Sequence, residues 1–389
     1  MRRPASAGYL KVPNSRGGLS ESKGRLAMDD AITPNGEGKV TVGLDLGDKH
    51  TQLCMIAADG ELLEEARLRT TPAALRRRFA ALPVARLVLE AGTHSPWVSR
   101  LLEDCGHEVY VANPRKLRLI YQNDSKSDRV DAEYLARIGR LDPALLAPLR
   151  HRHAAAQADL AIIRSREALV RARVRLINHV RGAVKSVGGR LTKCSSPSFA
   201  SQAQSHIPEE LGPALAPLLE MITVMGEQIR AYDRQIERLA QERYPETRLL
   251  RQVTGVGALT ALTYVLTLED PARFADPRAV GSYLGLRPRQ ADSGDLSPQL
   301  HVTKAGDEML RRLLVGAAHY ILGPFGPDTD LRRWGLSLAA RGGKRGKRLA
   351  VVAVARKLSV LLLRLWATGE AYEPLRNAAR EGRSLSESA

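Results

Sequence analysis

The chain is poor in cysteine, in long apolar runs and, over two long blocks, in acids. Its three cysteines, Cys54, Cys105 and Cys194, are too far apart for a zinc site and odd in number for a disulfide framework. That suits reduced thiols in a cytoplasmic protein. The nine histidines form no ligand spacing, and His151-Arg152-His153 reads as an exposed linker pair. No apolar run reaches membrane-spanning length. The nearest, Leu349 to Trp366, is interrupted by Arg356, Lys357 and Arg364. The first 38 residues lack the apolar stretch of a signal peptide. Their Gly/Ser/Pro-rich composition predicts a disordered extension, with Met28 an alternative start to Met1.

Acids are outnumbered overall, 42 against 59 Lys and Arg, leaving a net charge of +17. From Arg164 to Arg190 the only acid is Glu167, and from Arg332 to Arg348 there is none. Such blocks point to a polyanionic partner, nucleic acid first. At 389 residues and 44% hydrophobic composition, the chain has room for two or three domains with proper cores.

The acids that are present fall in informative places. Asp45 lies in the apolar run Val40-Thr41-Val42-Gly43-Leu44-Asp45-Leu46-Gly47, which predicts a first strand. Glu90 ends a similar run, Leu87-Val88-Leu89-Glu90. Asp128 and Asp131 open a helix behind the N-cap candidate Ser127, and their i,i+3 spacing puts both on one face. Any one of these acids alone reads as a cap or a solvated charge; their order changes that. The segment predicts strands 39–46, 51–57 and 62–70, helix 72–82, strand 86–91, helix 96–105, strand 107–112, then helices. This is the element order of an RNase H-like α/β fold, in which the first strand, the fourth strand and a late helix bring acids together. Carboxylates ending buried strands are costly unless a cation holds them. Mg²⁺ or Mn²⁺ suits such hard oxygen donors, and two ions can clamp the attacking and leaving oxygens of a phosphoryl transfer.

The middle of the chain predicts helices. Residues 155–187 read as one basic helix ended by Gly188-Gly189. A polar stretch, 192–207, links it to a second helix whose Leu215, Leu218, Ile222, Met225, Ile229, Tyr232, Ile236 and Leu239 form a heptad seam. The seam suits coiled-coil pairing with another chain or with the 155–187 helix; ordinary packing inside its own domain is the alternative. After Pro245 the composition changes. Gly255-Val256-Gly257 resembles the turn of a helix-hairpin-helix element, whose backbone N–H groups approach a phosphate. A polar loop, Gly285 to Asp295, leads through Val302-Thr303-Lys304-Ala305-Gly306-Asp307 into a helix.

Taken in order, these pieces resemble the DEDD transposases of bacterial insertion sequences, in which a RuvC-like domain precedes a serine-bearing transposase domain. The resemblance rests on Gly43-Leu44-Asp45, Leu89-Glu90-Ala91, Asn113-Pro114-Arg115 and Lys126-Ser127-Asp128-Arg129-Val130-Asp131-Ala132. It continues with Gly255-Val256-Gly257, Gly285-Leu286, Pro288, Ser293-Gly294, Thr303-Lys304-Ala305-Gly306, Leu310-Arg311-Arg312-Leu313-Leu314 and Ala353-Val354-Ala355-Arg356-Lys357-Leu358. It spans roughly residues 40–372. It implies a disordered extension 1–38, a RuvC-like DEDD domain 39–150, a helical coiled-coil segment 151–245, a mainly α transposase domain 246–372 and a tail 373–389.

What the resemblance implies for chemistry is specific. Asp45, Glu90, Asp128 and Asp131 hold Mg²⁺ or Mn²⁺, and Ser293 is the nucleophile. The loop Ser293-Gly294-Asp295-Leu296-Ser297-Pro298 departs from the family's Gly/Lys-richer version, which leaves Ser297 as an alternative. A free serine hydroxyl is a poor nucleophile and needs a base or metal. Arg287, Arg289, Lys304 and Arg311 are candidates to offset charge on the attacked phosphate. Arg164, Arg171, Arg175, Arg181 and Lys185 of the basic helix are candidates for backbone contacts. The implied partners are insertion-sequence ends, target DNA, a guide (bridge) RNA and further copies of the chain, as dimer or tetramer. The implied place is the bacterial cytoplasm, at the nucleoid, with no membrane. Two rivals stand beside this. A RuvC-like junction resolvase would use the acids and water without a covalent intermediate. An actin-like ATPase would share Gly43-Leu44-Asp45-Leu46-Gly47 but needs a second phosphate loop that is not evident.

Overall fold

The computed structural model describes residues 39–117, 127–291 and 300–377. The chain divides at His151/Arg152 into two compact units.

The first unit is built on alternation. Strands β1 (Thr41–Leu46), β2 (His50–Ile56) and β3 (Leu62–Arg69) form an antiparallel meander. Helix α1 (Pro72–Phe79) follows, with Thr71 Oγ1 accepting from Ala74 N and Pro72 in the first turn. It stops at Phe79 rather than reaching residue 82, before Pro83 forces the chain out of helical geometry. Strand β4 (Arg86–Glu90), helix α2 (Ser95–Asp104) and strand β5 (Glu108–Ala112) complete the sheet. Its order is β3-β2-β1-β4-β5, with β4 parallel to β1 and β5 parallel to β4. An antiparallel meander extended by parallel strands on the β1 side is the RNase H-like arrangement expected from the element order.

Side-chain alternation sends Val42, Leu44, Leu53, Leu87 and Leu89 to one layer, where they pack with Leu75, Phe79, Val98 and Leu102 of α1 and α2. The opposite face is covered by helix α3 (Asp128–Leu141), whose Ala132 and Ala136 pack with Cys54 and Ile56. Burial raises the Cys54 thiol to about 11, as an inert core residue rather than a ligand. Helix α3 lies close because its contact stripe is small. A Cβ on Gly43 would run into the Ala132 carbonyl oxygen and lie 2.6 Å from Ala136 N, and one on Gly139 would run into Val88.

The second unit is helical. Helix α4 (Ala154–Ser186) ends in a turn where Gly188 takes φ 84° and Gly189 N donates to Val184 O. Short helix α5 (Phe199–Gln204) lies in the stretch read as a polar link; its Phe199, Ala200 and Ala203 are core residues. Helix α6 (Gly212–Glu242) runs antiparallel to α4. Ile177, Val180 and Val184 pack with Leu215, Leu219 and Ile222, while Leu160 and Ile163 meet Ile236 and Ala240 at the other end. So the heptad seam is covered within its own chain. The deeply buried series is 215, 219, 222, 226, 229, 236 and 240, with Leu218, Met225, Tyr232 and Leu239 at its half-buried edge. Asp159 locks one end, accepting from Tyr244 Oη at 2.7 Å and Arg243 Nη1 at 3.1 Å.

Beyond α6 come α7 (Thr247–Leu250), α8 (Ala258–Leu268), α9 (Ala279–Tyr283), α10 (Glu308–Leu322), α11 (Asp330–Ala340) and α12 (Gly343–Thr368). Helix α8 is the hub, buried from Thr260 to Leu268. Its Leu262 and Leu266 join the α4–α6 core, while its Tyr264 and Val265 join the core of α10 and α12. Because α8 belongs to both, the helical pair and the region after it form one unit. Among the described residues, no helix is long and apolar enough to cross a membrane.

Candidate active site and nucleic-acid interface

The β1–β4 register runs in parallel from Thr41↔Arg86 to Leu44↔Leu89, so Asp45 and Glu90 come next in phase. Both lie on the α3 side, because Leu44 and Leu89 face α1 and α2. Helix α3 runs against β1. Its Gly139 meets Thr41, while Ala132 and Ala136 meet Gly43. Its first turn therefore lies toward the Asp45 end of the sheet, and Asp128 and Asp131 stand in that turn. Ser127 caps it as expected, accepting from Val130 N at 3.3 Å. Asp45, Glu90 and Asp131 are half-buried, with Asp131 Oδ1 shut off from solvent, while Asp128 is exposed.

The four acids thus share one end of one layer. They do not close into a ligand cluster: among the described residues, no three His, Cys, Asp or Glu side chains stand close enough to hold one metal ion.

The sequence reading passed over polar groups at this end. Gln52 faces Asp45 across the β1–β2 ladder. On the loops after β1 and β4, His94 Nε2 lies 3.3 Å from Asp48 Oδ1, and Trp97 Nε1 donates to His94 Nδ1 at 3.2 Å. With Nδ1 accepting, Nε2 carries the proton that points to Asp48. The position of His94, four residues after the strand-ending Glu90, was the available signal. His151 is no exposed linker side chain: its Nε2 sits 2.8 Å from Ser95 Oγ. Arg152 is likewise held, donating to Leu266 O.

The predicted phosphate-contacting cations divide into two groups. Arg175, Lys185, Arg289 and Lys304 stand exposed, and Arg287 donates to Gln290 on the surface. Arg164 and Arg171 are exposed too, yet they lie near Asp307 and Glu308 at the start of α10, and Arg171 donates to Glu167 at 2.9 Å. Glu167 also accepts from Arg312, so the lone acid of that basic block ties α4 to α10. Arg181 is committed elsewhere. It donates to Leu191 O and Thr192 O and stacks over Phe199 at 4.9 Å, closing the end of α4.

Arg311 is committed as well, donating to Leu284 O at 3.0 Å and Ala305 O at 2.9 Å. It holds a tight turn in which Lys304 adopts φ 55° and Gly285 and Gly306 have no room for a Cβ. Arg311→Ala is therefore expected to cost about 2–3 kcal/mol, the scale of charge-assisted bonds to carbonyls left unsatisfied. Thermal melting checks this, and the salt dependence of DNA binding should not change.

Gly255, at φ 92°, also serves packing. A Cβ there would press 3.3 Å from Ala317 O and from Tyr320 of α10, whereas Gly257 is open and caps α8. The loop bearing Ser293 and Ser297 springs from a small stem, the Pro288↔Val302 bridge with Arg289 N donating to His301 O. Both serines lie outside the described residues.

Two family models match the chain, one described as a DEDD transposase of the IS110 type over residues 42–188, the other as the transposase IS116/IS110/IS902 family over 247–329. Together they take in more than half of it. A protein described as a probable family 20 transposase of Pseudomonas aeruginosa is 26% identical over 340 residues, spanning 86% of this chain and 98% of that protein. The transposase for insertion sequence element IS1111A of Coxiella burnetii is 27% identical over 339 residues, 85% of this chain and 90% of that one. Among solved structures, Thermus thermophilus RuvC is similar at 16% identity and a TM-score of 0.21, over 26% of this chain and 96% of that one.

Proposed function

The chain belongs to the IS110 family of transposases, enzymes that cleave and rejoin DNA, and we propose that it does so through a serine nucleophile assisted by a metal-binding acid centre. The observation that carries the metal half is the convergence of Asp45, Glu90, Asp128 and Asp131 on one end of the α3-covered face. Four carboxylates and no thiol make a hard donor set, which fits Mg²⁺ or Mn²⁺ rather than zinc. Drawing these carboxylates together would set like charges against one another, which a divalent cation would offset. When bound, the metal supplies charge stabilisation to the attacked phosphate and lowers the pKa of a coordinated hydroxyl.

In this reading Ser293 Oγ attacks a scissile phosphate. The Oγ–P bond forms, the P–O bond to the leaving strand breaks, and the serine proton passes to solvent or a base as the leaving oxygen gains one. Keeping the phosphodiester as a serine–DNA ester lets a second strand end reverse the step, so rejoining needs no external energy. Exposed Arg289 and Lys304, on and beside the loop stem, suit the charge on the phosphate. Arg175 and Lys185 suit sequence-independent backbone contacts. The family resemblance extends the proposal to a guide RNA that aligns donor and target DNA, and to assembly of several copies as dimer or tetramer.

The test is a denaturing gel of protein, co-purified RNA, Mg²⁺ and labelled element-junction DNA. Wild type should give a protein-sized DNA adduct. Ser293→Ala should lose it, with strand exchange down about 10⁴–10⁶-fold, the scale of removing a serine nucleophile. An adduct kept by Ser293→Ala and lost by Ser297→Ala would move the role to Ser297. Cutting with no adduct in any variant would mean a water-using nuclease.

A further inference from the structure

Within the second unit, helices α11 and α12 and the turn around Lys304 enclose a groove of about 1580 Å³. Its lining includes the exposed cations Arg278, Lys304, Arg341, Arg345 and Arg348, taken as its rim, with Arg356 half-buried beside Gly281. The apolar side chains Leu300, Leu338, Leu349, Val352 and Trp334 are taken as its floor. Leu300 and Leu349 are 37% and 46% exposed. No described side chain lining the groove is an acid, an amide or a hydroxyl.

Three further features bear on its occupant. Helix α12 begins with Gly342 as N-cap, without a side-chain cap and with no acid in its first turn. Arg345 thus stands in the first turn, at the positive end of the helix dipole, where a cation is disfavoured unless an anion sits beside it, with Arg348 in the turn that follows. Lys304 is held in the left-handed region by a turn that leaves no slack, its N–H donating to Gly285 O. The Lys357 ammonium lies 4.3 Å from the centre of the Trp334 ring, fixing that ring in the floor.

We propose that this groove holds an unpaired DNA strand, with its phosphates on the cationic rim and its bases against the apolar floor. Charge complementarity selects a polyanion. The floor then selects the strand state, because a duplex turns its phosphates outward and hides the base faces that an apolar surface would cover, whereas an unpaired strand exposes them. Among the described lining side chains, the want of amides and hydroxyls predicts little reading of base edges, and DNA is taken as the occupant because DNA is what the family cleaves and rejoins. The inference deepens the proposed function by naming the strand state that the second unit takes up during cleavage.

The test uses the full chain without divalent metal, and fluorescence anisotropy of a labelled mixed-sequence oligonucleotide as single-stranded DNA, duplex DNA or RNA. Single-stranded DNA should bind about tenfold tighter than the duplex, the scale of one unpaired base stacked on Trp334. The double variant Arg345→Ala/Arg348→Ala should reduce the slope of log affinity against log salt by about 1.4, two phosphate contacts on a single strand. Leu349→Gln, at an exposed position, should weaken single-strand binding and leave duplex binding and the salt slope unchanged. Equal affinity for duplex, or Leu349→Gln without effect, would overturn the proposal, as would RNA binding that Leu349→Gln weakens as much as it weakens single-stranded DNA binding. Asp45→Asn separates it from the proposed chemistry, since that variant should lose cleavage and keep the single-strand preference.

Discussion

Asparagine at Asp45 is expected to lower DNA cleavage at least about 10²–10³-fold, the scale of removing one charge-stabilising group from a preorganised site. The substitution keeps size and shape and changes charge alone. The strand itself should survive, because Val42 and Leu44 on the opposite face hold β1 in the core. Metal provides a second readout. For wild type, Mg²⁺ or Mn²⁺ at a hundred times its Kd should add about 2.7 kcal/mol of stability, and Asp45→Asn should lose most of that shift. Glu90→Gln should behave alike. If Asp45→Asn cleaved as fast as wild type, the acid end of the sheet would not be the reaction centre, whatever its likeness to one.

Alanine at Gly43 should do the opposite, damaging stability and activity together. The new Cβ would meet the Ala132 carbonyl oxygen and the Ala136 amide. These are backbone atoms, so no rotamer change relieves the clash and α3 itself must shift. Overpacking typically costs about 1–3 kcal/mol and occasionally more; this case belongs at the upper end. Movement of α3 carries Asp128 and Asp131 with it, so cleavage should fall even at temperatures where the variant remains folded. Gly92→Ala is the control. Nothing lies within 4 Å of a Cβ there, and the melting temperature should hardly change. A Gly43→Ala protein that melted and cleaved like wild type would show that α3 does not approach β1 as closely as described.

How much of this was legible beforehand follows from what a sequence period encodes. Alternation in Thr41–Leu46 and Arg86–Glu90 marked two half-buried strands, and the small stripe Ala132, Ala136, Gly139 was there to be read as a close-packing face. Each strand of the first unit appeared within three residues of its expected place, and Ser127 capped α3 as its position implied. Periodicity says which face of an element is buried, and strand order says which acids end up as neighbours. So the fold and the shared end of Asp45, Glu90, Asp128 and Asp131 could be argued from residues alone.

Periodicity does not say against what a face is buried. The seam from Leu215 to Leu239 was equally suited to a second chain, and only tertiary packing showed α4 lying along it. Nor does a charge block tell which of its members are free. An arginine has five donors on a long stem, and whether they meet carbonyls or water depends on residues distant in sequence. Thus Arg181 and Arg311, alike on paper with Arg175 and Arg289, turned out to be held by the fold. The groove between α11 and α12 was invisible for the same reason. Its rim and floor come from segments 278, 286–288, 300–304 and 334–360, each unremarkable alone. The sequence by itself determined the strands, the Ser127 cap and the end of the element on which each acid stands, because those are local. Which cations face solvent, what covers the seam and where an apolar floor lies open were decided by long-range packing.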